Sequence, residues 1–170
     1  MIRDIITYPN KILKEKSKEV VDFDVKLHAL LDDMYETMLT KNGIGLAAIQ
    51  VAVAQNVLII NLPNVEDELA KEDLIEIINP KILERRGSTL YTEGCLSIPE
   101  FYEDVERSEW IRISYQKRDG SLVEEEHDGL MAIALQHEMD HLTGELFIEK
   151  LSFLKRKKFE KEWKKRLKGK

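Results

Sequence analysis

The stretch GLMAIALQHEMDHLTG, residues 129–144, decides how the chain is read. Leu130, Met131, Ile133, Ala134, Leu135 and Leu142 recur through it, and Gly144 is a natural stop, so it predicts a helix from Gly129 to about Thr143. Apolar residues flank its polar centre on both sides, which places it inside the protein. His137 and His141 stand four residues apart, on one helical face and one turn apart, where two imidazoles can share one ion. Glu138 follows the first histidine, about 100° further round the helix. There its carboxylate can take a proton from water without itself becoming a ligand. Two surface histidines on a charged helix are the bland alternative; the apolar flanks and a total of four histidines in the chain weigh against it.

Two histidines leave a catalytic ion one protein ligand short. A third histidine three residues beyond Gly144 would complete one known pattern, but Phe147 stands there. A downstream glutamate would complete another, but Glu160 and Glu162 lie in a strongly basic helix. Cys95, in Glu93-Gly94-Cys95-Leu96-Ser97, is the remaining soft ligand. A lone cysteine reads readily as a small buried residue; the helix's need for a third ligand draws Cys95 into the set. One thiolate with two imidazoles suits Zn²⁺ and also Fe²⁺, Co²⁺ or Ni²⁺.

Outward from this helix, residues 5–20 read as an irregular lead-in. Residues 24–39 read as a helix capped by Asp24 and ended by Lys41-Asn42-Gly43. The run 57–62 (VLIINL) reads as a buried strand, and 63–73 as polar loop. Segments 74–83, 88–91, 105–115 and 122–126 read as strands, the last two joined by a turn at Asp119-Gly120. A last helix covers 151–167, with Ser152 as its cap. Strands and helices do not alternate, so the expected class is α+β: antiparallel sheets around a central metal-binding helix, with a C-terminal helix. The expected division is a catalytic domain at 1–151 and a basic helix at 152–170.

Gly43-Ile44-Gly45-Leu46-Ala47-Ala48-Ile49-Gln50 matches the loose dinucleotide pattern, but a helix precedes it where a strand should stand, so no nucleotide cofactor is expected. Its glycines allow close approach of a backbone. Gln50 adds an amide donor, suited either to a developing oxyanion or to an ordinary loop contact.

The 170 residues suit one domain, and the N-terminus has no signal-peptide pattern. No apolar run is long enough to span a membrane, and the single cysteine excludes an internal disulfide. A cytoplasmic protein with no membrane partner is expected. The overall charge of −6 is divided: residues 155–170 hold ten Lys or Arg against two Glu, a net +8, leaving −14 on the other 154 residues. Leu151, Leu154, Phe159, Trp163 and Leu167 give that basic segment an apolar stripe. It reads either as a docked helix with a solvated face or as an attachment to RNA.

GIGLAAIQ at 43–50, EGCLS at 93–97 and QHEMDHLTG at 136–144 together resemble the peptide deformylases, in order and in spacing, over most of residues 1–151. The resemblance implies removal of the formyl group from N-formylmethionyl peptides of nascent chains, with release of formate. Another single-ion HExxH peptidase or amidase is the competing reading. The resemblance implies Cys95, His137 and His141 as ligands, Glu138 as acid/base, and Gln50 with the Leu96 N–H as oxyanion donors. Gly45 would meet the substrate backbone, and Ile44, Glu93, Leu130, Ile133 and Ala134 would surround the methionine side chain. It implies Fe²⁺ as the working ion, with Zn²⁺, Ni²⁺ or Co²⁺ as substitutes, and rRNA on the ribosome as a partner for Lys155–Lys170. Two departures stand out. Tyr102 occupies a place where family members often carry an arginine that holds the substrate backbone, and Ala134 stands where a cysteine is common.

Overall fold

A computed structural model describes residues 1–169. Helix α1 (Val25–Thr40) begins where Asp24 accepts a hydrogen bond from the Leu27 N–H at 3.1 Å. It buries Leu27, Leu30, Leu31, Met34 and Met38 along one face. Strands β1 (Gly45–Ala47), β2 (Val57–Ile60), β3 (Ile75–Arg86), β6 (Trp110–Gln116) and β7 (Leu122–Asp128) form an antiparallel sheet in the order β1-β2-β3-β6-β7. Strands β4 (Thr89–Cys95) and β5 (Ile98–Arg107) form a separate hairpin. The α+β expectation holds.

The four residues of β2 are all buried, because the sheet is covered on both faces. Val57 and Ile59 join the core that contains α1; Leu58 and Ile60 join the core of the other face. There α2 (Gly129–Leu142) packs through Ala132, Leu135 and Leu142 onto Ile77, Ile111 and Ile113. Residues 132–138 are buried without a break, as expected of a central helix. A third core lies behind the hairpin, where Ile98, Phe101 and Val105 of β5 meet Leu146, Phe147, Ile148 and Phe159. Phe159 belongs to α3 (Phe153–Lys168), which Ser152 caps. The C-terminal helix is docked through Phe159 and partly buried Trp163, with Leu151 just ahead of it in the same cluster; Leu154 and Leu167 of the expected stripe are exposed, and its lysines face outward.

Two strand expectations change. The run 105–115 is not one strand: it leaves the hairpin at Arg107 and enters the main sheet at Trp110. Gln136 of α2 holds this crossover, its amide bonding both the N–H and the C=O of Ser108 at 2.9 Å. Strand β4 runs on from Tyr91 to Cys95, placing the cysteine where the hairpin turns.

Candidate metal centre and substrate cleft

The turn between β4 and β5 brings Cys95 over the C-terminal half of α2. The Cys95 sulfur and one imidazole nitrogen from each of His137 and His141 lie within 4.8 Å of one another. Cys95 Sγ and His141 Nε2 are 3.5 Å apart. His137 is turned so that Nδ1 meets Glu93 Oε1 at 2.8 Å, leaving Nε2 for the centre. Burial first, then the charges of His137 and Arg107, push the His141 imidazole well below its usual range.

These donors fit a divalent cation of intermediate softness: thiolate and imidazole nitrogens converge, and a carboxylate waits beside them. That carboxylate is Glu138. Burial pushes its pKa up to about 7. Its Oε2 is buried with no hydrogen-bond partner, and Oε1 lies 3.9 Å from His137 Nε2. A Cβ on Gly45 would come within 2.9 Å of that Oε1, so only glycine lets β1 pass this close to the carboxylate.

Gln50, in the turn after β1, is fixed at both ends. Its Oε1 accepts from the Ala47 N–H at 3.0 Å, which leaves the amide nitrogen aimed at the centre. That nitrogen donates to Ser97 Oγ at 3.0 Å and approaches Cys95 Sγ at 3.6 Å. Leu96 follows Cys95 directly in the turn. The residues expected around the methionine side chain, Ile44, Glu93, Leu130, Ile133 and Ala134, all line one cavity of about 810 Å³, together with Gly45, the expected contact to the substrate backbone. Cys95, Leu96, His137 and Glu138 line the same cavity.

Glu93 is committed elsewhere as well. Besides orienting His137, it receives a two-pronged hydrogen bond from Arg107, Nε to Oε2 at 2.8 Å and Nη2 to Oε1 at 2.9 Å. Arg107 also reaches Asp140 Oδ2 with Nη1 at 2.5 Å. Burial alone would raise the Glu93 pKa, but Arg107 and His137 hold it below the usual carboxylate value. Asp140 therefore connects through Arg107 and Glu93 to His137. Sequence reasoning missed Arg107, Asp140, Ser97 and Gln136. For Arg107 there was a signal, a cation on the same alternating face of β5 as buried Val105.

A buried HExxH helix lining a cleft, with a cysteine sulfur converging on its two histidines, is an arrangement of the metallohydrolase class. The family model for polypeptide deformylase matches residues 2–157. A peptide deformylase of Helicobacter pylori (strain G27) is 59% identical over 161 residues, 95% of this chain and 92% of that protein. One from Wolinella succinogenes is 56% identical, covering 95% of each. Among solved structures, a peptide deformylase from Legionella pneumophila superposes with a TM-score of 0.89 at 37% identity, covering 100% of this chain and 99% of that one. One from Plasmodium falciparum gives 0.90 at 32% identity, covering 98% and 96%. The chain belongs to the peptide deformylase family: it removes the formyl group from the N-terminal methionine of nascent polypeptides.

Proposed function

We propose that Cys95, His137 and His141 hold the ion, that Glu138 moves the proton, and that Gln50 and the Leu96 N–H receive the developing oxyanion. The convergence of three donor atoms within 4.8 Å beside a buried, unpartnered Glu138 oxygen carries this reading. When bound, a divalent cation supplies Lewis acidity there, polarising the formyl oxygen and making water a stronger nucleophile at neutral pH. Glu138 accepts a proton as water adds to the formyl carbon. Gln50 Nε2, fixed by Ala47 and Ser97, and the Leu96 N–H donate to the oxygen as it gains charge. As the C–N bond breaks, Glu138 returns the proton to the departing amine, giving formate and a free N-terminus. In the metal-free protein, burial holds this carboxyl above its ordinary value, at about 7.

Ile44, Leu130, Ile133 and Ala134 offer the methionine side chain an apolar seat, and Glu93 closes that seat while orienting His137. β1 is the last strand of its sheet, so Gly45 has a backbone edge free to pair with the substrate peptide.

Our reading takes Fe²⁺ as the resident ion, as the family resemblance implies, with Zn²⁺, Ni²⁺ or Co²⁺ as substitutes the same donors accept. It takes the protein as cytoplasmic; no helix among the described residues is long and apolar enough to cross a membrane. Metal analysis of anaerobically prepared protein, paired with a formate-release assay, tests the first point. Stoichiometric iron with full activity is expected, and active protein without metal would refute the assignment.

In this reading residues 1–151 are the catalytic body and 152–170 a basic helix that contacts rRNA through its outward lysines and arginines. Deleting the helix would also strip buried Phe159 from the third core. Replacing exposed Lys157, Lys161 and Lys164 with Glu is the cleaner test. Ribosome association should fall and lose its salt dependence; unchanged association would end the idea.

A further inference from the structure

We propose that Tyr102 is a specificity-determining residue for the segment after methionine, its ring packing against an apolar or aromatic substrate side chain there. The proposal rests on the assignment of the cleft to the formylated peptide. The residues that seat methionine come largely from α2 on one side of the cleft. Tyr102 comes instead from the β4–β5 hairpin and lies beside Gly94, the residue that precedes Cys95. Its side chain lines the cleft yet is 67% exposed, so it occupies the part open to solvent. A polypeptide anchored at its first residue must leave through that open part. Tyr91, also half-exposed, adds a second ring to the same wall.

The hairpin's irregular register creates this placement. Glu93 pairs with Glu103 while Cys95 pairs with Ile98, so Pro99–Tyr102 form a bulge opposite Gly94. Within it Glu100 has a positive φ of 61°. The ring of Tyr102 lies so close over Gly94 that a Cβ there would fall 2.5 Å from Cε1. The bulge is braced from behind. Phe101 turns the other way, its ring 4.6 Å from that of Phe159 in an edge-on contact. Arg166 of α3 donates to the carbonyls of Pro99 at 2.5 Å and Glu100 at 2.6 Å. Lys155 pairs with Glu103 at 3.2 Å. The wall is therefore held before substrate arrives, which lowers the ordering cost of binding on it. Among the described residues no arginine lines the cleft, and Arg107 and Arg166 are engaged with Glu93 and with the bulge carbonyls. Asp4, Lys41 and Glu100 also line the cleft, and at Tyr102 itself the recognition on offer is apolar area and ring packing.

The test uses metal-loaded full-length enzyme and two peptide series, formyl-Met-X-Ser and formyl-Met-Ala-X, with X as Phe, Ala, Lys or Asp. Wild type should prefer Phe over Ala in at least one series by about threefold to tenfold in kcat/KM, carried by KM. Tyr102→Ala should flatten that ratio toward one; Tyr102→Phe should keep it. The idea is overturned if wild type shows no such preference, if Tyr102→Ala retains it, or if Tyr102→Phe loses it. An equal loss on every peptide in Tyr102→Ala also overturns it, because it would mark a structural role. Failure of wild type to release formate from any peptide would instead strike at the cleft assignment itself.

Discussion

Replacing Arg107 with Met separates what holds the reaction centre from what merely surrounds it. The Arg107 side chain is 4% exposed, and its three hydrogen bonds go to Glu93, also 4% exposed, and to Asp140. Met fills similar space without charge, so Glu93 would be left ionised in the interior with only the His137 contact. Removing one partner of a buried ion pair costs about 3–5 kcal/mol, mainly because the survivor is stranded. In a domain of this size that lowers Tm by roughly 6–20 °C. Because Glu93 fixes the tautomer and rotation of His137, metal affinity should also fall, by about 10- to 100-fold. Calorimetry on chelator-treated protein reads the first effect without the metal's own stabilisation. Chelator competition reads the second. The double variant Arg107→Met/Glu93→Gln removes the stranded charge while leaving a carbonyl oxygen for His137, and should recover more than half of the lost stability. A single variant that loses less than about 1 kcal/mol and binds metal normally would refute this reasoning.

Two further outcomes follow from the same geometry. Gly45→Ala introduces a Cβ 2.9 Å from Glu138 Oε1, so the carboxylate must shift; kcat should drop at least tenfold with metal content unchanged, and an unaltered kcat would show the carboxylate has room. In metal-free protein, burial puts the Glu138 titration near 7, above the ordinary value of 4.5. Stability from this group is therefore full below about pH 4.5 and lost as pH rises through about 7. Carboxyl-resolved NMR should place that titration near 7, and a value near 4.5 would contradict the burial argument.

The chemistry of this protein was legible where it is written locally. His137, Glu138 and His141 sit on one helix, so their spacing alone gives their geometry. Asp24 and Ser152 were readable as caps because capping depends on neighbours three residues away. What was hidden is non-local. Val105, Arg107, Ile111, Ile113 and Tyr115 fall on one parity of a period-two pattern that only exposed Glu109 interrupts, too slight a break to show that the chain changes sheets at Ser108. Strand β1 has three residues, too few for any periodicity, and exists because Gly45, Leu46 and Ala47 pair with β2. The bulge that presents Tyr102 depends on pairing between β4 and β5. Glu93 was readable as a residue near the methionine seat; that it also orients His137 became visible only when Arg107 and α2 were placed beside it.

The central claim is that Glu138 moves the proton while Cys95, His137 and His141 hold the ion. The direct measurement is formate release by Glu138→Ala from a formyl-Met peptide, with bound metal quantified in the same sample. The account predicts stoichiometric metal and loss of turnover by at least a hundredfold. Full deformylation by that variant would contradict it.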